Sequence, residues 1–228
     1  MMFGYFGAKH SNAHRYQPPK HDVIVEPFAG AAGYACYWLA EVPTMTATLI
    51  EKDPRVVDAW ERILSDTPER IAAWQFPIEG TYVSDQILAG MAGSGSAKPD
   101  VCIVTPRMIR DFGNMRRRIA WLRGLIGDRI EVVHGDYTNA PDIEATWFID
   151  PPYQHQGHQY REGAEGIDYS ELREWCQSRL GQTIVCEAEP ADWLPWTQRY
   201  SLKAMGNNQT VELVWESDPD PTLFDVLY

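Results

Sequence analysis

The chain is poor in several things, and each shortage narrows what it can be. It has four cysteines, Cys36, Cys102, Cys176 and Cys186, scattered with no C-x-x-C pair and no close histidine. That argues against a disulfide frame or a zinc site and fits thiols kept reduced in the cytoplasm. No stretch approaches the roughly 20 apolar residues of a membrane span. The opening MMFGYFGAKHSNAHRY has no apolar signal core. There is no G-x-G-x-x-G, which disfavours a dinucleotide site. Positive charge is scarce too: 20 Lys and Arg face 32 Asp and Glu, a net charge of −12. Taken alone, this balance opposes a generic polyanion binder, because phosphate contacts need cations. The expectation is a cytoplasmic, soluble protein.

What is present points to a folded α/β domain. At 44% hydrophobic and 12% aromatic, the 228 residues can bury a substantial core. DVIVEPFAGAAG (22–33) reads as a short strand, a glycine- and alanine-rich turn, and the start of an apolar helix. TATLIEKDP (46–54) is a second strand ending in acids, with a helix through RVVDAWERIL behind it. This βαβα spacing marks a parallel sheet flanked by helices. Residues 66–125 read mostly helical, with a break at GMAGSGSAKPD (90–100). RIEVVHGDY and TWFI return to strand, the latter apolar on both faces as a central parallel strand should be. A helix over 168–180 and a strand over 182–190 follow, and two strand-like runs flanking GNN predict a terminal antiparallel hairpin.

Ligands of open α/β sheets sit outside the carboxyl ends of the strands. In EPFAGAAG, Gly30 and Gly33 allow backbone to come close to a ligand just before a helix begins. Glu51 ends the second strand about 20 residues after that turn, a place from which an acid accepts hydrogen bonds from ribose hydroxyls. The other reading of Glu51 is capping of a helix N-terminus or compensation of its dipole. TWFI runs into Asp150, Pro151, Pro152 and Tyr153. A residue before proline is held extended, and each proline fixes its own φ. The segment therefore presents one carboxylate, backbone carbonyls that no helix can use and an aromatic face, a set suited to a flat heterocycle bearing an amino group.

With YFGAK at 5–9, EPFAGAAG at 26–33 and DPPY at 150–153, the chain resembles the amino-group-specific, S-adenosylmethionine-dependent DNA methyltransferases. The likeness is to the small DNA adenine N6-methyltransferases of phage and bacterial type, in the order of their α group. It covers most of the chain; Ala31 and Ala32 depart from it where the loop often carries more glycine. It implies a Rossmann-like methyltransferase fold with a mostly parallel seven-stranded sheet, a terminal antiparallel hairpin and a helical insertion. The catalytic domain would comprise 1–61 and 129–228, with target recognition in 62–128.

The resemblance also implies roles. Tyr5 and Lys9 would approach the methionine end of S-adenosylmethionine, with Lys9 on its carboxylate. Phe28, Ala29 and Gly30 would wrap the methionine moiety, with Gly33 in the same loop. Glu51 would bind the ribose, Lys52 or Asp53 would lie near the adenine, and Asp136 would meet the adenine amino group with Tyr137 beside it. Asp150, the Pro151 carbonyl, Pro152 and Tyr153 would hold the target base. DNA would be the partner, and phage self-protection or epigenetic marking the role.

Residues 101–130 hold seven arginines against two acids, a local excess of five. In isolation this is a solvated helix face. Placed in the variable region, Arg107, Arg110, Arg116, Arg117 and Arg118 become expected DNA contacts, since arginine reads guanine edges and clamps phosphates. His155 and His158, in the Gln- and His-rich loop after DPPY, are expected to close on the flipped base or its neighbours rather than to bind metal. Three rival readings stay open: methylation of N4 of cytosine, methylation of an RNA amino group, and a relic of the fold that only binds DNA.

Overall fold

The computed structural model describes residues 9–75, 106–155, 163–203 and 209–217; of 106–111, 202–203 and 209–210 it describes the backbone only. Seven strands form one sheet in the order β3-β2-β1-β4-β5-β7-β6. These are β1 (Val23–Glu26), β2 (Thr46–Glu51), β3 (Ile130–His134), β4 (Ala145–Ile149), β5 (Gly181–Ala188), β6 (Gln198–Lys203) and β7 (Gln209–Glu216). The first five are parallel to one another, and β7 and β6 close the end antiparallel. The Rossmann-like α/β architecture expected from the sequence, with its terminal hairpin, is the one observed.

The central parallel strands β1 and β4 read as nearly unbroken apolar runs because both faces are covered. Successive side chains alternate between two cores. Ile24, Leu49, Phe148 and Ile184 enter one, with α1 (Gly33–Glu41), α2 (Pro54–Ser65), α3 (Pro68–Ala72) and α4 (Pro106–Ile126). Val25, Ile50, Trp147, Ile149 and Val185 enter the other, with α5 (Tyr169–Gln177) and Trp193. From 62–128, α3 and α4 pack into the first core through Ile71, Phe112, Ile119, Leu122 and Ile126. The break expected at 90–100 lies outside the described residues. No helix among the described residues is long and apolar enough to cross a membrane.

Strand order reverses between β1 and β4, and there the first helix starts without an ordinary cap. Its N-cap residue, Ala32, is left-handed (φ 44°) and gives no side-chain hydrogen bond. The Glu26 carboxylate, from the end of β1, accepts from the Ala35 amide at 2.6 Å instead. Gly33 opens the helix at a point of close backbone approach. A Cβ there would lie 2.5 Å from the His10 nitrogen and 2.8 Å from the Lys9 nitrogen. Gly33 is thus the residue that lets the Lys9 segment lie against α1. We predict that Gly33→Ala displaces this segment, at a cost of roughly 1–3 kcal/mol, read as a lower midpoint in thermal melting by circular dichroism; an unchanged midpoint would contradict the packing argument.

Candidate active site

Each of the five parallel strands delivers an acid to the same edge of the sheet. In ladder order they are Asp136 just beyond β3, Glu51 ending β2, Glu26 ending β1, Asp150 directly after β4, and Glu187 near the end of β5. The reversal of strand order leaves a crevice at the β1/β4 junction, between Glu26 and Asp150.

Asp150 is held by one cation. The Lys9 ammonium lies 2.8 and 2.9 Å from its two carboxylate oxygens and donates to the Tyr153 hydroxyl at 2.7 Å. Glu212, on β7, stands 3.5 Å from the same ammonium. The Tyr16 hydroxyl donates to Glu212 at 2.7 Å. Burial alone would push Lys9 down, but Asp150 and Glu212 outweigh it and hold the ammonium well above the usual lysine value. Burial raises Asp150 from its ordinary value, Lys9 opposes that rise, and Glu212 adds to it.

The loop after β4 is pinned along its length. Tyr169 Oη donates to the Pro152 carbonyl. Glu187 Oε2 accepts from the Gln154 amide at 3.1 Å and from Trp193 Nε1 at 3.0 Å. Two prolines set the backbone, and these contacts fix where it points. Pro151 is buried, while Tyr153 and Gln154 are half-buried.

On the β2 side, Glu51 is a brace. Its Oε2 accepts from the Gly30 amide at 2.7 Å and its Oε1 from the Asp53 amide at 2.9 Å. Gly30 has φ 47°, and its carbonyl accepts from Trp60 Nε1 at 2.7 Å. The Ala29 amide donates to the Ile50 carbonyl. Burial, partly offset by the Asp53 and Gly30 amides, pushes Glu51 up to about 7. Glu26 is pushed up to about 8 by burial, against the Ala35 amide. Phe28 stacks on Tyr137 with ring centroids 5.5 Å apart, and Lys52 pairs with Asp136 at 3.0 Å across the rim.

Several residues occupy positions the sequence did not suggest. Asp53 caps α2, accepting from the Arg55 amide, so the capping reading considered for Glu51 belongs to its neighbour. The Gly33 Cα faces the Lys9 and His10 backbone. Asp136 opens a 3-10 turn, its amide donating to Asn139 Oδ1. Lys9 meets Asp150 and Tyr153 directly.

The arginine run divides. Arg116 donates to the Trp74 carbonyl, Arg123 to the Leu64 and Gly127 carbonyls, and Arg129 to five carbonyls of residues 39, 42, 45, 125 and 126. Arg117 and Arg118 face outward on α4. His155 is exposed. Tyr5 and His158 lie outside the described residues, as do the side chains of Arg107 and Arg110. No metal-holding group of acids, histidines and cysteines occurs among the described residues.

Glu26, Glu187 and Glu212 are site residues that sequence reasoning passed over. The first two carry the strand-end signal that singled out Glu51 and Asp150. Glu212 carries none, because its partner is about two hundred residues away.

No protein-family model matches the chain, and no curated protein matches its sequence. Among solved structures it is similar to a precorrin-6y C5,15-methyltransferase from Geobacter metallireducens, at 11% identity and a TM-score of 0.43, covering 89% of this chain and 84% of that one. It is similar to TrmN from Thermus thermophilus, at 13% identity and a TM-score of 0.42, covering 84% of this chain and 42% of that one. A glycopeptide N-methyltransferase, MtfA, complexed with S-adenosyl-L-methionine, gives 16% identity and a TM-score of 0.38, covering 95% of this chain and 68% of that one. These similarities carry no conclusion about substrate or reaction.

The raised carboxyls make stability depend on pH. A carboxyl that holds its proton more tightly folded than unfolded favours the folded state at low pH. That contribution is lost as pH rises from the ordinary carboxyl value of 4.5 through about 8 for Glu26. We predict that Glu26→Gln, which keeps an acceptor for Ala35, melts higher than the parent at pH 8.5 and close to it at pH 5. A chain of this size gains roughly 2–4 °C per kcal/mol. Equal differences at both pH values would contradict the burial of an ionisable group.

Proposed function

We propose that the chain is an S-adenosylmethionine-dependent methyltransferase acting on the N6 amino group of adenine in DNA. The observation that supports this best is the Asp150–Tyr153 loop. A carboxylate, proline carbonyls and an aromatic ring are fixed at the strand-order reversal, beside a glycine turn braced by a buried acid.

The residues fit the methyl donor. Glu26, Glu51, Asp150 and Glu212 are carboxyls in and behind the crevice, and Lys9 is the buried cation among them. The ionised carboxylates of this lining would complement a ligand that carries a positive sulfur and an ammonium. Glu51 would take the ribose hydroxyls, with the remaining lone pairs of oxygens that already brace Gly30 and Asp53. Phe28, Ala29 and Gly30 would lie along the methionine moiety, Asp136 and Tyr137 at the adenine, and Lys52 or Asp53 near it. The bound cofactor would supply a methyl group made electrophilic by its positive sulfur.

The chain's own groups account for the other half of the chemistry. The lone pair of an exocyclic amino nitrogen is delocalised into the ring. Asp150 and the Pro151 carbonyl, accepting its two hydrogens, would draw the nitrogen toward tetrahedral geometry and localise that pair. The negative field of Asp150 would stabilise the charge that develops on nitrogen. Lys9 favours the ionised form of Asp150, which the role requires. Tyr153 would stack on a base turned out of the helix. DNA would be gripped by Arg117 and Arg118 together with Arg107 and Arg110, and by His155 and His158 after the loop; Arg116 would act through the Trp74 carbonyl it holds. A net-acidic chain can still bind DNA through one basic face, since the local field governs approach.

Nucleoside mass spectrometry of DNA from cells expressing the chain tests the reading. N6-methyladenine is expected with the parent, and Asp150→Asn should lower it about 100-fold or more. No methylated adenine, or N4-methylcytosine in its place, would overturn the base assignment. For the grip, Arg117→Ala with Arg118→Ala should weaken DNA binding and reduce the slope of log K against log salt by roughly two. An unchanged slope would remove these residues from the interface.

A further inference from the structure

We propose that Glu212 is a positioning residue for Asp150: from the antiparallel strand β7 it holds the second side of the Lys9 ammonium and so limits how much of that charge Asp150 receives. The bearing of this on methyl transfer rests on the function proposed above; the charge balance itself does not.

The geometry is a short line of groups. Tyr16 Oη lies 2.7 Å from Glu212 Oε1, the same oxygen lies 3.5 Å from Lys9 Nζ, and Lys9 Nζ lies 2.8 Å from Asp150 Oδ1. The side chains of Lys9 and Glu212 are 8% and 4% exposed, so water screens the pair little. Two carboxylates therefore share one ammonium in a setting where charges act more strongly than in water. The 3.5 Å contact is the looser of the two, as expected where Asp150 takes the larger part of the ammonium and Glu212 steadies its back.

Among the described residues, the other titratable groups around Asp150 and the Lys9 ammonium are these. Tyr153, on the same loop, bonds to the Lys9 ammonium and to Asp150. Glu26, at the end of β1, is pushed up to about 8 and is largely uncharged near neutrality. Cys186 on β5 and Tyr16 on the N-terminal segment are driven well above their ordinary values by burial, and both stay neutral. Glu187, on β5, is raised by burial and tied to the Ala188, Gln154 and Trp193 N–H groups. Lys9 and Glu212 act on Asp150 with opposite signs: the first lowers its proton affinity and the second raises it. A residue that merely fills space between β7 and the N-terminal segment would have no such signed effect.

The opposite signs make the test. The full-length chain is labelled with carboxyl-13C aspartate, and the Asp150 resonance is assigned by its loss in Asp150→Asn. Its titration is then followed by NMR in the parent, in Glu212→Gln and in Lys9→Met. Glu212→Gln should move the Asp150 midpoint to lower pH, and Lys9→Met should move it to higher pH. The acid limb of DNA methylation should shift in the same order. An Asp150 midpoint that stays put, or moves the same way in both variants, overturns the proposal. Should Lys9→Met fail to fold by circular dichroism, Glu212→Gln decides alone, since it is isosteric and keeps an acceptor for Tyr16. Opposed shifts in a parent that methylates nothing would support the positioning role and reject the proposed function. Methylation with an unmoved Asp150 in Glu212→Gln would do the reverse.

Discussion

The ion pair between Lys9 and Asp150 joins chain positions 141 apart, and much of the site depends on it. An isolated buried carboxylate takes up a proton rather than stay charged. Here the ammonium meets both oxygens of Asp150 and the hydroxyl of Tyr153 together, so one side chain sets both the charge and the orientation of the loop. Buried pairs add little net stability because desolvation consumes much of the attraction, but losing one partner is costly. The value of this pair lies in holding one arrangement of the loop.

The rest of the fold brings the pair about. Lys9 reaches Asp150 because the chain around it lies on Gly33, where no Cβ intervenes. Gly33 is placed by a turn whose Gly30 amide is bound to Glu51 and whose helix is started by Glu26. Acids at strand ends thus serve as structural acceptors first. Glu26, Glu51 and Glu187 each satisfy backbone amides that would otherwise be left unpaired, and this is how the crevice carries several carboxyls without repelling itself apart. The raised proton affinities of Glu26 and Glu51 follow from the same burial.

Under the proposed function, such a crevice would receive a positively charged methyl donor. The cation within it is already shared by Asp150 and Glu212, while the other four strand-end acids line the same edge of the sheet. A cationic ligand would find acceptors fixed before it arrives, with little reorganisation left to do. The arginine-rich run contributes less to the surface than its sequence suggests. Arg116, Arg123 and Arg129 are spent on carbonyls at helix and loop ends, where a guanidinium satisfies several acceptors at once.

Local pattern in the sequence was enough to reveal the strands and their parallel character, because apolar runs bounded by turn residues report burial on both faces. It also revealed the rigid Asp150–Tyr153 loop, because proline restricts the backbone wherever it stands. The terminal hairpin was legible from two strand-like runs around GNN, and Glu51 and Asp150 from their place at strand ends. The partner of Lys9 was not legible, nor was the role of Glu212, which in QTVELVWE is one more polar residue on an alternating strand. Neither was the division of arginines between surface and carbonyls. Those depend on which strands lie side by side and which segments cross the sheet. Periodicity and backbone restriction are properties of neighbours in the chain, and sequence alone determined them. Charge pairing in a buried crevice is a property of neighbours in space, and only the tertiary structure decided it.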